Sequence, residues 1–169
     1  MITIIDYGVG NLFSLSSSLS YLGLENKVSR DPEDLRKADH IILPGVGAYG
    51  DAIAKLRGSG MAEPLLDEAK AGKPIMGICL GMQLLFDKGY EYGEHQGLGL
   101  IPGVMADLKE DIPANLKVPH MGWNSLQLTE KGKKHPLFKY SKEGDYVYFV
   151  HSFYGKDCDE GLLATSEYG

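Results

Sequence analysis

Apolar and polar positions in the first half of the chain follow two repeating patterns in turn. Short runs rich in β-branched residues are each followed by segments with an apolar residue every three or four positions. Strands that alternate with helices in this way predict a parallel sheet covered by helices. We predict strands at residues 2–6, 26–29, 40–43 and 74–78, with the fourth strand in a central position.

Capping signals place the helices of this half. Asn11 is a suitable N-cap for a helix that ends at Gly23. The apolar face of this helix carries Leu12, Leu15, Leu19 and Leu22. Asp31 followed by Pro32 marks the start of a brief second helix, and further helices are predicted around residues 51–56 and 62–71.

After residue 97 the apolar runs become short and are separated by Gly, Pro and Asn. We predict mostly antiparallel strands there, at residues 104–108, 125–128, 146–150 and 162–165. The expected fold class is therefore α/β, an open sheet with a parallel half, helices on both of its faces, and an antiparallel extension. The active site is expected at the carboxyl ends of the parallel strands.

The composition, with 43% hydrophobic and 24% charged residues, predicts a single domain over residues 1–169. A formal charge of −6 argues against a nucleic-acid partner, which requires a clustered basic surface. The first apolar run is too short for an export or membrane segment, and two widely separated cysteines suit the cytoplasm. We expect no metal, because the five histidines are scattered, and no cofactor, because Gly8 and Gly10 lack a third dinucleotide-site glycine.

The segment around Cys79 has the spacing of a nucleophile elbow. Gly77 and Gly81 flank the cysteine two residues away on either side, between a predicted strand and a predicted apolar helix. Glycines at these positions let the chain turn sharply and project the central side chain above the sheet edge. A helix N-terminus at this point favours a thiolate. The alternative is a buried, unreactive cysteine that packs as a small apolar residue.

An acyl-transfer nucleophile needs hydrogen-bond donors for the oxyanion that its attack creates. The backbone N–H of Leu80, the residue after the cysteine, is the first candidate. Val46 is the second, because Gly45 and Gly47 on either side would let its peptide turn the N–H inward. From local sequence, a flexible turn is an equally good interpretation of this loop.

Five segments spread over nearly the whole chain resemble the triad family of glutamine amidotransferases. They lie at residues 5–12, 43–48, 77–83, 118–124 and 148–154. The third is shared across amidotransferases, whereas the first segment and the Pro-His-Met-Gly-Trp-Asn of the fourth are typical of the imidazole glycerol phosphate synthase branch. The resemblance implies the flavodoxin-like fold of the class I glutamine amidotransferases.

The resemblance also implies a reaction. Cys79 would attack the side-chain amide of glutamine, which releases ammonia and leaves a glutamyl thioester that water hydrolyses to glutamate. Gln83 would help to hold the substrate, next to the loop that contains Gly45 and Gly47. The segment His151-Ser152-Phe153 would border the amino-acid end of glutamine.

The same resemblance implies a partner, a (β/α)8-barrel cyclase subunit that receives the ammonia through a channel. There the ammonia would join a ribulosyl-formimino intermediate and give imidazole glycerol phosphate and an aminoimidazole carboxamide ribotide. Met121 and Trp123 would form an exposed anchor for this subunit, with Asn11 on the same face. Composition alone leaves open whether Trp123 is an interface residue or an ordinary core residue.

The sequence departs from the family at its general base. The family has a His and a Glu two residues apart in a His-Pro-Glu segment on a late strand, and no such segment occurs here. We expect the sequence to belong to a longer protein with further strands and a helix, because losing central strands would leave sheet edges unpaired. The alternatives are an engineered inactive form and His151 acting as a substitute base.

Two other functions are compatible with these residues. The chain could dock on the cyclase, or on its own copies, without catalysis. It could also be another elbow-cysteine protein of similar architecture, a hydrolase or chaperone that pairs its cysteine with an acid from an early strand. Asp6 is the obvious early acid, although we expect it to structure the first loop.

Overall fold

Four parallel strands form a sheet in the first half of the chain, which the computed structural model describes together with the rest of residues 1–169. They are β1 (Ile2–Ile5), β2 (Asn26–Ser29), β3 (His40–Leu43) and β4 (Ile75–Gly77). The sheet order is β2-β1-β3-β4. The four predicted strands are confirmed, but the predicted central place of the fourth is wrong, because β4 pairs with β3 alone and lies at an edge of this sheet.

Five helices belong to the same half: α1 (Leu12–Tyr21), α2 (Pro32–Lys37), α3 (Tyr49–Gly58), α4 (Ala62–Lys70) and α5 (Leu80–Gln83). Asn11 caps α1 as predicted, because its Oδ1 accepts a hydrogen bond from a backbone N–H of the first turn. Leu19 is buried against Ile4 of β1 and Ile42 of β3, which attaches the apolar face of α1 to the sheet. Leu22 does not join that face, because α1 ends one residue earlier and leaves the side chain exposed.

The predicted helix after the elbow is shorter than its apolar sequence indicates. α5 ends at Gln83, and the chain then forms β5 (Phe86–Gly89), which pairs antiparallel with β6 (His95–Gln96). The carbonyl oxygens of Leu84 and Leu85 accept hydrogen bonds from the N–H groups of residues 98 and 100. These long-range bonds replace the i to i+4 bonds that would continue the helix.

The chain divides into two compact units, Met1–Pro102 and Gly103–Gly169. Of the largest fully buried side chains, only Met105 belongs to the second unit. The main apolar core therefore lies in the first unit, around the parallel sheet. No helix combines the length and apolar character needed to cross a lipid bilayer. A single folding domain over residues 1–169 stays a prediction.

Antiparallel pairs dominate the second half, as predicted. Its elements are β7 (Ile101–Asp107), α6 (Leu108–Asp111), β8 (His120–Ser125), β9 (Gln127–Leu128), β10 (Tyr146–His151), β11 (Phe153–Lys156) and β12 (Ala164–Thr165). β7 pairs with β11, β8 with β10, and β9 with β12. β8 and β11 are not predicted from the sequence, because the glycine within each of them and the proline before β8 are typical of loops.

Candidate active site

Cys79 occupies the sharp turn between β4 and α5. Its φ of 55° and ψ of −123° lie in a region that non-glycine residues rarely adopt, and its side chain is exposed. Such a conformation costs about 1–3 kcal/mol and persists only where the surrounding structure enforces it. A strained, exposed cysteine between a strand and a helix is the geometry of a nucleophile elbow. Because α5 has only four residues, the long helix dipole expected behind the cysteine is missing.

Gly77 and Gly81 enforce the turn. A Cβ on Gly81 would collide with the carbonyl oxygen of Leu43 at the end of β3, and a Cβ on Gly77 would collide with the backbone of Met82. The Ile78 N–H also donates a hydrogen bond to the Leu43 carbonyl at 3.0 Å. The elbow is therefore attached to the end of β3 by backbone contacts that no larger residue would permit.

The Gly-rich loop at residues 44–48 lies directly against the elbow. A Cβ on Gly45 would come within 2.5 Å of the Gly81 backbone nitrogen and 3.0 Å of the Leu80 Cβ. Gly47 has a φ of +94°, which favours glycine, and Val46 between the two glycines is exposed. The structure thus brings into contact the two segments that the sequence predicts for an oxyanion site.

The two backbone amides proposed for the oxyanion are both available. Neither the Leu80 N–H nor the Val46 N–H donates a hydrogen bond to another backbone group of the chain. An oxyanion site needs backbone N–H groups that have no other acceptor. The oxyanion role of the loop stays a prediction.

Tyr7 positions the Gly-rich loop, a role that the sequence patterns did not reveal. Its buried hydroxyl donates a hydrogen bond to the Pro44 carbonyl oxygen at 2.8 Å. Burial raises the pKa of Tyr7 to about 12, so the hydroxyl keeps its proton and stays a donor at physiological pH. Gly10, at a φ of +114°, lies close enough that a Cβ there would be 3.0 Å from the Pro44 Cβ. The sequence offered one signal for this contact: the loops after β1 and β3 follow parallel strands and therefore lie at the same edge of the sheet.

Asp6 structures the first loop, as expected. Its Oδ1 accepts a hydrogen bond from the Gly8 N–H at 3.0 Å, and its Oδ2 accepts one from Arg30 Nε at 2.7 Å. The Arg30 guanidinium lowers the pKa of Asp6. Because both oxygens are engaged, Asp6 is not free to act as the acid partner of Cys79. Asn11, at the end of the same loop, is exposed.

Gln83 is the last residue of α5. Its backbone N–H donates a hydrogen bond to the Cys79 carbonyl at 3.3 Å, which places it one turn after the cysteine. Its side chain is half-buried. The side-chain amide has no hydrogen-bond partner in the chain, and its role in substrate binding stays a prediction.

His151, Ser152 and Phe153 lie where β10 gives way to β11, and all three are half-buried. His151 Nδ1 lies 3.0 Å from the Phe153 carbonyl oxygen, and its Nε2 lies 2.9 Å from His120 Nδ1. Burial lowers the pKa of His151, although the bond to Phe153 opposes that shift. With both ring nitrogens engaged, the geometry does not favour His151 as a substitute base.

Met121 and Trp123 are exposed on one face of β8, so Trp123 is an interface candidate and not a core residue. Val150 and Tyr148 of β10 lie directly opposite them, and Trp123 and Tyr148 make an edge-on ring contact with centroids 5.6 Å apart. Tyr146 extends the same face along β10. All five side chains are more than half exposed, and together they form an apolar surface, the β8–β10 face.

The remaining candidate chemistry is sparse. Both cysteines are free thiols, and Cys158 lies between Asp157 and Asp159 on a surface turn. No group of three or more His, Cys, Asp or Glu side chains is arranged to hold a metal ion. The reactive features described above therefore concern Cys79 and the loops around it.

A family model described as glutamine amidotransferase class-I matches residues 3–168. Similar proteins include the imidazole glycerol phosphate synthase subunit HisH of Listeria monocytogenes, Lactococcus lactis and Wolinella succinogenes. They are 48%, 48% and 46% identical over 99%, 99% and 100% of this chain. This chain spans 78%, 80% and 82% of their lengths.

Solved structures share the fold. A crystal structure of a glutamine amidotransferase superposes with a TM-score of 0.71 at 18% identity, covering 97% of this chain and 79% of its own. The structure of PurLQS from Thermotoga maritima gives a TM-score of 0.68 at 21% identity, covering 99% and 74%. These likenesses confirm the predicted α/β class, with its parallel sheet and helices.

Proposed function

Because the chain belongs to the class-I glutamine amidotransferase family, we propose that it hydrolyses glutamine as the amidotransferase subunit of an imidazole glycerol phosphate synthase. Identities of 48% and 46% to proteins named imidazole glycerol phosphate synthase subunit HisH support the assignment. The observation that carries it is the strained, exposed Cys79 in an elbow against which the Gly-rich loop packs. Strain at an exposed nucleophile is typical of a residue retained for chemistry.

Cys79 supplies the nucleophile. Its Sγ attacks the side-chain carboxamide carbon of glutamine, and the resulting oxyanion accepts hydrogen bonds from the Leu80 and Val46 N–H groups. The C–N bond then breaks. The proton lost by the thiol goes to the leaving nitrogen, which departs as ammonia and leaves a γ-glutamyl thioester. Water attacks this thioester, which releases glutamate and restores the thiol.

Several residues are proposed to bind the substrate. Gly45 and Gly47 keep the loop free of side chains, so that its backbone can approach the amide. Gln83 binds glutamine through its unpartnered side-chain amide, and the segment His151-Ser152-Phe153 borders the amino-acid end. The general base is not assigned to residues 1–169, since no His-Pro-Glu segment occurs among them.

The β8–β10 face is assigned to the partner subunit. Contiguous exposed apolar patches are typical of interaction surfaces, and Trp and Tyr are frequent anchors in them. We assign its occupant as a (β/α)8-barrel cyclase that receives the ammonia and consumes it in forming imidazole glycerol phosphate, and we propose Asn11 as a further residue that contacts this subunit. A cytoplasmic heterodimer is consistent with the two free thiols.

Glutamate release, measured for the chain alone and with the cyclase subunit, tests the proposal. We expect hydrolysis to be faster in the complex, because docking sets the orientation of the Val46 peptide in the Gly-rich loop. Equal rates with and without the cyclase would contradict that coupling. Binding to the cyclase without any glutamate release would instead indicate a docking module. The exposed apolar β8–β10 face is the observation that supports this alternative.

The interface assignment has its own test. Trp123→Ala is expected to weaken binding to the cyclase about 30-fold, the effect of losing about 2 kcal/mol at an anchor residue. Tyr140→Ala is the matched control, because Tyr140 is also exposed but lies outside the β8–β10 face. Calorimetric titration measures both affinities. Equal losses for the two variants would contradict the assignment.

A further inference from the structure

A continuous hydrogen-bonded chain crosses the second unit through two histidines. His151 Nδ1 lies 3.0 Å from the Phe153 carbonyl oxygen, His151 Nε2 lies 2.9 Å from His120 Nδ1, and His120 Nε2 lies 2.9 Å from Asn124 Oδ1. The Asn124 side-chain nitrogen donates to the Glu167 carbonyl at 2.8 Å. Because a carbonyl oxygen can only accept, this bond fixes Asn124 Oδ1 as the atom that faces His120.

The hydrogens in this chain can be counted. Phe153 and Asn124 present acceptors only, so His151 Nδ1 and His120 Nε2 must each carry a hydrogen to bond them. The contact between His120 Nδ1 and His151 Nε2 needs a third hydrogen, whereas two neutral imidazole rings carry two in total. All three bonds form together only when the pair holds one extra proton. A neutral pair that keeps its central bond must leave either Phe153 or Asn124 without a donor.

Few charges act on the pair. His120 is buried and stacks on the rings of Phe149 and Tyr168, with centroids 5.3 Å and 3.9 Å away. The Tyr168 hydroxyl, the titratable group on that side, donates to the Lys117 carbonyl. No Asp, Glu, Lys or Arg side chain forms a hydrogen bond or ion pair with either ring. Burial lowers the pKa of His151, and the bond to the Phe153 carbonyl opposes that shift.

We propose that His120 and His151 form one proton-sharing link between two segments that the proposed function uses. At one end is Phe153, in the turn assigned to the substrate. At the other is Asn124, in the strand that presents Met121 and Trp123. When the pair is neutral and keeps its central bond, it has two tautomeric states. In each state one end, Phe153 or Asn124, keeps its hydrogen bond and the other end loses it. When the pair carries the extra proton, both ends keep their hydrogen bonds. The two histidines are positioning residues. The roles of Phe153 in substrate binding and of the Asn124 strand in partner binding rest on the proposed function.

Nitrogen-15 NMR of the histidine rings over a range of pH tests the shared proton in the full chain. His40, His95 and His135 are internal references. We expect the first titration step to have one apparent pKa for both rings and to add one proton to the pair. Above that pKa, either His151 Nδ1 or His120 Nε2 should lack a hydrogen. Hydrogens on both of those atoms at high pH, or titration steps that are each confined to one ring, would overturn the proposal.

Asn124→Asp gives the sharper readout. A carboxylate in place of the amide, beside His120 Nε2, should raise the apparent pKa of the pair by about one unit or more. Asn115→Asp is the matched control, because it adds the same charge at an exposed position outside the hydrogen-bonded chain. Backbone amide spectra confirm that each variant folds. An unchanged pKa in folded Asn124→Asp, or an equal shift in the control, would overturn the shared proton.

The glutamate assay separates this proposal from the proposed function. Joint titration of the two rings without any glutamate release would support the link and contradict the glutaminase assignment. Glutamate release with two independent histidine titrations would overturn the link alone.

Discussion

Cys79 and Cys158 carry the same thiol on two very different backbones. Cys79 has a φ of 55°, is exposed, and lies between glycines that attach its turn to the end of β3. Cys158 has a φ of −122°, is half-buried, and lies next to Asp159. Burial, reinforced by Asp159, raises the pKa of the Cys158 thiol. The difference shows that the surrounding loops give Cys79 an exposure and a backbone strain that Cys158 lacks, and this is the reason that we propose Cys79 as the nucleophile.

The largest expected effect separates the two thiols by activity. Cys79→Ala in the complex with the cyclase should lower glutamate formation at least about 1,000-fold, because the covalent step loses its nucleophile. Cys158→Ala should leave the rate within about twofold, because a surface substitution away from the site rarely matters. Initial rates of glutamate release measure both. A large loss in Cys158→Ala would break the comparison.

The next effect concerns the frame of the elbow. Gly81→Ala should lower the free energy of unfolding by about 3 kcal/mol, because its new Cβ meets the Leu43 carbonyl and the backbone must shift. Gly58→Ala is the control, since a Cβ there has open space within α3. It should change stability by less than about 1 kcal/mol, in the stabilising direction. Urea unfolding measures the two values, and equal effects would show that the elbow is not held by close backbone contact.

Strain at position 79 predicts that the order of stability of the Gly and Ala variants is opposite at the two cysteines. Cys79→Gly should be more stable than Cys79→Ala by about 1–2 kcal/mol, because glycine adopts a positive φ without penalty. At position 158 the φ is ordinary, so Cys158→Gly should be less stable than Cys158→Ala, by up to about 1 kcal/mol. Thermal unfolding of the four variants checks the signs. The same sign at both positions would mean that the elbow is unstrained.

A smaller effect is expected at Tyr7. Tyr7→Phe leaves the Pro44 carbonyl without its buried donor and should cost about 1 kcal/mol of stability. Glutamate release should also fall, because the Gly-rich loop loses a fixed point. Tyr21→Phe is the control, because that side chain is exposed on α1. Urea unfolding and the glutamate assay together measure the pair, and indistinguishable variants would remove Tyr7 from the description of the site.

Local signals explain why the parallel half could be predicted from the sequence. The caps Asn11 and Asp31 act on the backbone within three residues of themselves, and both were visible as residue types. The length of α5 depends instead on carbonyls that bond to residues far along the chain, so its apolar pattern was misleading. β8 was obscured by Gly122, whose cross-strand pairing with β10 is also non-local.

The candidate site also has features with a local sequence signal and features that depend on contacts between distant residues. Cys79 and its flanking glycines could be predicted because the elbow has a fixed spacing in the sequence. The bond from Tyr7 to Pro44 spans 37 positions, and the contact between His120 and His151 spans 31. Contacts over such separations exist only once the chain has folded. Neither pair has a spacing that would have revealed it beforehand.

Covalent labelling with a glutamine analogue that carries an alkylating diazoketone in place of the amide tests the assigned nucleophile most directly. Peptide mapping by mass spectrometry then locates the adduct, with iodoacetamide as a labelling control that needs no substrate site. We predict one adduct, on Cys79, whose formation excess glutamine prevents. An adduct on Cys158, or none under conditions in which iodoacetamide labels Cys79, would contradict Cys79 as the glutamine-binding nucleophile.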